Sequence, residues 1–359
     1  MVPPGPLIFL SAWPDDVPFP GTSVLNAPNG GIVANAAVVP SGADGGIKVQ
    51  GSNPTDLIID INGYYVVAAE SNANPLQIAL LRWYGANAAA SFSVGLNPQS
   101  LAFDGDSMWV AFPGGVDKIR ASDGSLLGVF SSGPANGGIA FDGANVWVAN
   151  TGGNTVTKLR AFDGGALGTF TVGLHPTGIA FDGANLWISN HDSNSVSKLR
   201  APDGANLGTF PVGSQPVGVA FDGANIWVVN ETSNSVTKLR ASDGANLGTL
   251  PVGNTPLFVA FDGDAVWVTN NGSNSVTKLR AIDGANRGTF PVGINPRGIV
   301  FDGVNIWVSN NGGASVTKLR VSDGTTLGTF PAGISPNGMA FDGANVWVAN
   351  GVSNTVSKM

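Results

Sequence analysis

The tripeptide Phe-Asp-Gly recurs seven times in this chain, and a tryptophan follows each phenylalanine by six residues. Successive copies are separated by 38 residues once and by 40 residues five times. A fixed period of this length indicates one supersecondary unit that stacks on copies of itself. The tryptophans of the repeat are Trp109, Trp147, Trp187, Trp227, Trp267, Trp307 and Trp347.

One repeat unit predicts four short strands, which in the copy around Trp227 read VGVAFDG, NIWVVN, SVTKLR and NLGTLPVG. Asp-Gly pairs separate the first strand from the second and the third from the fourth, as in tight hairpin turns. The first two strands are apolar on both faces, so each sheet is expected to be covered on both sides. The sequence therefore predicts an all-β, seven-bladed β-propeller with about 40 residues per four-stranded blade.

The two ends of the repeat region predict how the ring closes. The last unit stops after a third strand, Thr355–Met359, and has no fourth. Upstream of the first unit, AASFSVG places Phe92 11 residues before Phe103, the spacing found for fourth strands elsewhere. We therefore expect the strand around Phe92 to pair beside residues 355–359, which leaves no open sheet edge there. Ile78–Arg82 also fits the register of a third strand, but the C-terminal copy is the preferred partner.

The chain before the repeats is expected to hold a small all-β domain at residues 1–67 and a linker at 68–77, with the propeller at 78–359. Strand candidates in the first segment are GIVANAAVV, GGIKVQG and DLIIDINGYYV. The opening PLIFLSAW is too short, and too poor in basic residues, for a signal peptide or a membrane span. Because the chain starts abruptly, it is expected to be a fragment or a mature form.

Several conspicuous residues of the first 84 are given structural interpretations. Asp60 and Asn62 are interpreted as part of a turn rather than as ligands, and Trp83 and Tyr84 as anchors of the linker rather than a stacking platform. The run from Val33 to Val66 resembles a small all-β domain appended to secreted bacterial proteins. That resemblance implies a secreted or cell-surface location and carries no chemistry to these residues.

Composition excludes several classes of function. The net charge is −7 and no basic stripe is present, which argues against a nucleic-acid partner. The absence of cysteine removes disulfides, thiolate catalysis and zinc-thiolate sites. Thirteen of the 17 basic residues occupy two repeat positions in the third strand and its end, where turn formation and ion pairing with neighbouring turns are expected. The Asp-Gly turns lack the alternating acids of a calcium loop, and no cofactor is predicted.

Function is expected where the repeat varies. In a propeller, the loops from the fourth strand to the next first strand share one face with the loops from the second strand to the third. In this chain these loops are rich in Asn, Ser, Gly and Pro, and they include the only two histidines. No catalytic or metal-binding residue is assigned, and the seven tryptophans are predicted to be core. The candidate binding residues on this loop-bearing face are His175, His191, Asp192, Glu231, Phe258 and Arg297.

The repeat PVGxxPxGVAFDGANIWVxNxxSNSVTKLRASDGANLGTF resembles YVTN-type propeller repeats and, more distantly, the virginiamycin B lyase-like and NHL propellers. The resemblance covers Leu76–Met359. The lyase-like family implies a metal-assisted elimination that uses histidine and glutamate on the loop-bearing face. Here His175, His191 and Glu231 are available for such a role, fewer ligands than a divalent-ion site usually has.

These observations favour a non-catalytic secreted or cell-surface propeller that binds a protein or a glycan through the loop-bearing face, or acts as a scaffold. One alternative is a structural subunit of an extracellular assembly that self-assembles through residues 1–67. The other is a metal-dependent lyase or hydrolase of the virginiamycin B lyase-like type. The identity of the ligand and the oligomeric state stay open at this point.

Overall fold

The structure is a computed structural model that describes residues 7–14, 25–27, 47–51, 90–134 and 136–359. It divides into two compact units, residues 1–88 and 89–359. The described part of the first unit is a three-stranded antiparallel sheet of Leu7–Pro14, Leu25–Ala27 and Ile47–Gly51, with the first of these in the middle. The predicted strand in GGIKVQG is confirmed, whereas the Leu7–Pro14 strand was not predicted.

The second unit is a seven-bladed β-propeller, as the repeat predicts. Seven four-stranded antiparallel sheets follow one another, and in each the strand order in space is the order along the repeat. The first strands of neighbouring blades contact one another, so they are the innermost strands and surround the axis. The fourth strand of each blade lies at the outer edge, where prolines such as Pro211 and Pro251 leave no ladder hydrogen bond unmade.

Blades are numbered here by the order of their tryptophans. The strands of blades 1 to 3 are Ser100–Phe103, Ser107–Phe112, Gly115–Arg120 and Leu126–Phe130; Asn136–Phe141, Asn145–Asn150, Thr155–Arg160 and Ala166–Thr171; and Pro176–Phe181, Asn185–Asn190, Ser195–Arg200 and Asn206–Pro211. Those of blades 4 and 5 are Pro216–Phe221, Asn225–Asn230, Ser235–Arg240 and Asn246–Pro251; and Pro256–Phe261, Ala265–Asn270, Ser275–Arg280 and Asn286–Pro291. Blade 6 consists of Pro296–Phe301, Asn305–Asn310, Ser315–Arg320 and Thr326–Pro331. Short 3-10 turns occur at Thr151–Gly153, Asn271–Ser273 and Asn311–Gly313.

Blade 7 takes strands from both ends of the propeller unit. Pro336–Phe341, Val346–Asn350 and Thr355–Lys358 form its first three strands, and Ala90–Ser93 is the fourth. In this pairing Val356 lies opposite Phe92. The predicted closure is therefore confirmed, with the C-terminal copy as the third strand. The rival segment at residues 78–82, the proposed linker and the predicted strands at 31–39 and 56–66 lie outside the described residues, as do Asp60, Asn62, Trp83 and Tyr84.

The hydrophobic core consists of separate layers between adjacent blades. Trp147, for example, packs with Ile188 and Leu199 of the next blade and is completely buried. The repeat tryptophans are core residues, as predicted, although Trp307 is only partly buried. Around the other tryptophans the turn after the third strand of the next blade closes the layer. The described residues of blade 7 hold no such turn, and Met359 packs in the Trp307 layer instead.

A repeated polar contact set ties each tryptophan to its own blade. In blade 4, Trp227 Nε1 donates a hydrogen bond of 2.7 Å to Asp222 Oδ2, and Asp222 Oδ1 accepts from the backbone N–H groups of Ala224 and Asn225. Gly223 occupies the turn with a φ of 97°, where a side chain would be strained. The same indole–carboxylate bond recurs in all seven blades.

The basic residues of the repeat have two different roles. The arginines pair with the aspartate of the adjoining turn, as Arg240 does with Asp243 at 2.9 Å, which confirms the expected ion pairing. Two of the lysines also pair with a turn aspartate, Lys118 with Asp104 at 3.5 Å and Lys278 with Asp262 at 3.7 Å. The contacts that recur among the lysines are of another kind. Lys238 Nζ lies 5.1 Å from the centre of the Trp227 ring and donates 2.6 Å to the carbonyl of Ala281 in the next blade. Its partner is thus a backbone carbonyl and an aromatic face, and the contact links neighbouring blades.

Candidate functional site

The backbone of the loop-bearing face is the same in blades 3 to 7, whereas in blade 1 only Pro113 and Gly114 join the second and third strands. In blade 3, the N–H of His191 donates to the carbonyl of His175, so the loop after the second strand lies beside the loop that enters the first. The His175 N–H donates 2.8 Å to Asn154 Oδ1 of the preceding blade. His175 has a φ of 56°, and the equivalent residues Gln215 and Asn295 are also left-handed. Both kinds of loop therefore meet on one face, as predicted, and present whichever side chains the sequence places there.

Four of the candidate residues form one polar group on this face. His175 Nδ1 lies 3.3 Å from Asp192 Oδ2, and His191 Nδ1 lies 2.5 Å from Asp192 Oδ1. The two imidazole rings are 5.2 Å apart between centroids. On its other side, His191 Nε2 is 3.6 Å from Glu231 Oε2 of blade 4. We call His175, His191, Asp192 and Glu231 the histidine cluster.

The exposure of the cluster differs from its edge to its centre. The His175 and Asp192 side chains are 46% and 49% exposed, whereas His191 between them and Glu231 is 18% exposed. The hydrogen bond with His191 lowers the pKa of Asp192 below its ordinary value; desolvation opposes this effect, and the contact with His175 adds to it. Asp192 is therefore ionised at neutral pH and holds both imidazole rings by their Nδ1 atoms.

Arg297 lies outside the histidine cluster, at the second position of the first strand of blade 6. Its NH1 group donates 3.1 Å to Asn337 Oδ1 in blade 7, and its NH2 group donates 3.2 Å to Gln99 Oε1 in blade 1. Burial lowers the pKa of Arg297, and the charge of Glu231 acts in the opposite direction without an ion pair between them. The guanidinium is thus anchored by two neutral amide oxygens and reaches across two blades.

The remaining candidate, Phe258, lies elsewhere. It replaces the glycine found at this repeat position in the neighbouring blades, Gly218 and Gly298. Its ring is partly buried and packs against the layer that contains Trp267, while its backbone N–H donates to Thr269 Oγ1. The structure therefore places Phe258 with the core between blades 5 and 6 and does not bring it to the histidine cluster.

Sequence reasoning did not identify Gln99 and Asn337 as the residues that hold Arg297. The signal for them is the alignment of the repeats. Both follow the proline that enters a first strand, in NPQ and SPN, at the position that Arg297 occupies in NPR. In a closed ring, blades 6, 7 and 1 are consecutive, so these three positions are neighbours at the axis although they span the whole repeat region.

Comparisons with known proteins identify the fold. No protein-family model and no curated protein sequence matches the chain. Among solved structures, the hydrazine synthase of Kuenenia stuttgartiensis is 18% identical with a TM-score of 0.68, over 77% of this chain and 98% of its own. Virginiamycin B lyase from Staphylococcus aureus is 17% identical with a TM-score of 0.64, over 75% of this chain and 97% of its own. A streptogramin B lyase structure has a TM-score of 0.63 at 17% identity, over 75% and 96%.

This chain shares their propeller fold. At such identities the likeness establishes the architecture alone, because propellers host unrelated activities. Within the described residues, no helix has the length and apolar character needed to cross a bilayer.

The chemical abilities of the face follow from its side chains. The histidine cluster offers a fixed carboxylate, a second carboxylate and two imidazoles, which can accept hydrogen bonds, bind a cation or carry a proton. Arg297 offers a planar cation that can bind an anion through more than one hydrogen bond. The ligating atoms of His175, His191 and Asp192 all lie within 4.8 Å of one another.

Proposed function

We propose that the protein is a binding propeller that recognises its ligand at the loop-bearing face, around the histidine cluster and Arg297. The observation that carries this proposal is the contact between two blades at positions that vary. His191 of blade 3 lies 3.6 Å from Glu231 of blade 4, whereas the same loop position in blades 5 and 6 is asparagine. The repeated charged residues are already used in turns and inter-blade contacts, so the varied ones are the residues free to recognise a ligand.

The chemistry of the face supports a polar partner. Asn and Ser side chains dominate the loops, and amides and hydroxyls are donors and acceptors of the kind that bind sugar hydroxyls or peptide groups. We therefore propose a protein or a glycan as the partner. A secreted or cell-surface location is part of this proposal, and its support is the resemblance of residues 33–66 to a domain appended to secreted bacterial proteins.

The test is thermal unfolding of the full chain against a panel of purified saccharides and peptides. A ligand that binds only the folded state stabilises it by about 2.7 kcal/mol at a hundredfold excess over its dissociation constant. We expect a raised midpoint for the wild type and a much smaller rise for Asp192→Asn combined with Glu231→Gln. The matched control is Asp203→Asn, which removes another exposed, paired carboxylate on the outer rim. Equal rises in all three proteins would contradict binding at this face.

Metal-dependent catalysis is the second candidate, and the closeness of the His175, His191 and Asp192 ligating atoms favours it. Two imidazoles and one carboxylate suit a borderline ion such as Zn²⁺ better than Mg²⁺ or Ca²⁺, which prefer oxygen ligands. A bound ion of this kind would supply Lewis-acid chemistry on this face. If this candidate is right, Zn²⁺ should raise the unfolding midpoint of the wild type and not of His191→Ala; no rise in the wild type would contradict it.

A further inference from the structure

Arg297 is a half-buried cation whose hydrogen-bond partners are neutral. Its two contacts are the amide oxygens of Asn337 and Gln99, which occupy two of the five N–H donors of a guanidinium. Among the described residues 90–134 and 136–359, no carboxylate oxygen lies within 4.0 Å of the Arg297 nitrogens. The repeat arginines all have such a partner. Burying a charge without an opposite charge is costly, so the site is suited to an anion that completes it.

The position of Arg297 relative to the axis is fixed by the inner strands. At the next residue, a Cβ on Gly298 would lie 2.2 Å from the carbonyl oxygen of Asn337, and the same close approach joins Gly178 to Val217. The innermost strands are therefore packed backbone to backbone. The residues at the position of Arg297 in the seven first strands form a ring around the channel mouth, and all but Gly137 follow a proline: Gln99, Gly137, Thr177, Val217, Leu257, Arg297 and Asn337.

The ring has one charged member and two aliphatic ones. Arg297 is its only charged residue, while Val217 and Leu257, in the two preceding blades, are partly exposed. The remaining members are amides, a hydroxyl and a glycine. Glu231 acts on Arg297 through space from blade 4. A single guanidinium near a carboxylate favours a singly charged anion over a dianion such as phosphate, which usually collects several cationic or N–H donors.

We propose that the channel mouth binds a small organic carboxylate with an apolar body, its carboxylate on Arg297 and its apolar part against Val217 and Leu257. The planar guanidinium can donate two parallel N–H bonds to a carboxylate, and Gln99 and Asn337 hold the guanidinium in place. This inference rests on the proposed function and adds the chemical class of the ligand.

The test uses isovalerate as the probe, with the neutral isovaleramide as its isostere, and measures dissociation constants by NMR titration of the full chain. We expect isovalerate to bind at least about tenfold more tightly than isovaleramide, the size of effect that a charged hydrogen-bonded pair supplies. Arg297→Gln should abolish that preference, and Arg297→Lys should retain only part of it because lysine lacks the planar guanidinium. Arg287→Gln, which removes an exposed arginine of an outer strand, is the matched control and should bind as the wild type does.

Two further probes separate the parts of the proposal. Glucuronate carries a carboxylate on a polar body. Sulfate, used at equal ionic strength, is an anion with neither a carboxylate nor an organic body. Tighter binding of glucuronate than of isovalerate overturns the apolar part, and sulfate binding as tight as isovalerate overturns the carboxylate part. Equal isovalerate affinity in wild type and Arg297→Gln overturns the proposal as a whole. Saccharide or peptide binding that survives in Arg297→Gln leaves the proposed function standing, so the two failures are distinguishable. The unfolding midpoint of each variant without ligand shows whether it is folded.

Discussion

The layers between the blades and the loop-bearing face use the same repeat in opposite ways. Trp227 and Asp222 within one blade, and Lys238 across to the next, make contacts that recur around the ring with almost constant distances. On the face, a backbone that blades 3 to 5 share carries His191 in one blade, Glu231 in the next and Asn271 in the one after. The recurring tryptophan contacts stabilise the fold, and the residues of the face that depart from the recurrence are available for recognition, whereas the departure at Phe258 is part of the core. The predictions below test that division, from the largest expected effect to the smallest.

Removing a repeat tryptophan should cause the largest loss of stability. Trp227→Ala leaves a cavity in a fully buried layer and should lower the free energy of unfolding by about 3 to 5 kcal/mol, measured by urea denaturation. Trp307→Ala is the matched comparison, because that ring is only partly buried. A loss at position 307 as large as at 227 would contradict the account of the layers.

In blade 7, the outer strand comes from the other end of the propeller unit, so this blade tests whether the contact between the outer-strand phenylalanine and the tryptophan stabilises it as in other blades. The Phe92 and Trp347 rings are in contact with centroids 5.7 Å apart, and Phe210 contacts Trp187 in the same way at 5.4 Å. Phe92→Ala and Phe210→Ala should therefore destabilise the propeller equally, by about 2 to 3 kcal/mol for a partly buried ring. A negligible effect of Phe92→Ala on the urea midpoint would show that the N-terminal strand does not close the ring.

Trp227→Phe keeps an aromatic ring but removes the N–H that donates to Asp222, and should cost about 1 to 2 kcal/mol at neutral pH. Burial alone would raise the pKa of Asp222, yet the hydrogen bonds from Trp227 and the turn lower it below 3.8. Because the folded pKa is depressed, the stabilisation is present above pH 3.8 and is lost as the pH falls through the folded value. Between pH 5 and 2, the free energy of unfolding of the variant should therefore fall less than that of the wild type. Urea denaturation at about ten pH values across that range measures this difference. An unchanged pH dependence would contradict the role of the indole.

The smallest effect should come from the arginines at the outer turns. Arg240→Gln breaks a pair whose side chains are 51% and 52% exposed, where water and salt screen the attraction. We expect no measurable change in the urea midpoint. A clear loss, suppressed by high salt, would show that these repeated charges contribute to stability after all.

Much of the fold was predictable because it depends on periodic features. The spacing of tryptophans determines the blade number, and the position of Phe92 relative to Phe103 identifies the closing strand. The convergence of His191 and Glu231 was also predictable in outline, since equivalent loop positions in adjacent blades are neighbours. The bond from Trp227 to Asp222 and the anchoring of Arg297 by Gln99 were not, because they depend on side-chain direction. The strand at Leu7–Pro14 has no repeat to identify it.

The most direct measurement replaces the unusual residues of the face by those that other blades carry at the same positions. The variant combines His191→Asn, Asp192→Gly, Glu231→Asn and Arg297→Asn. Asn271 is the residue equivalent to His191 and Glu231, Gly272 is equivalent to Asp192, and Asn337 is equivalent to Arg297. Urea denaturation of this protein should give a free energy of unfolding within about 1 kcal/mol of the wild type, while ligand binding at the face is lost. A loss of several kcal/mol would contradict the central claim, because it would mean that these departures from the repeat support the fold itself.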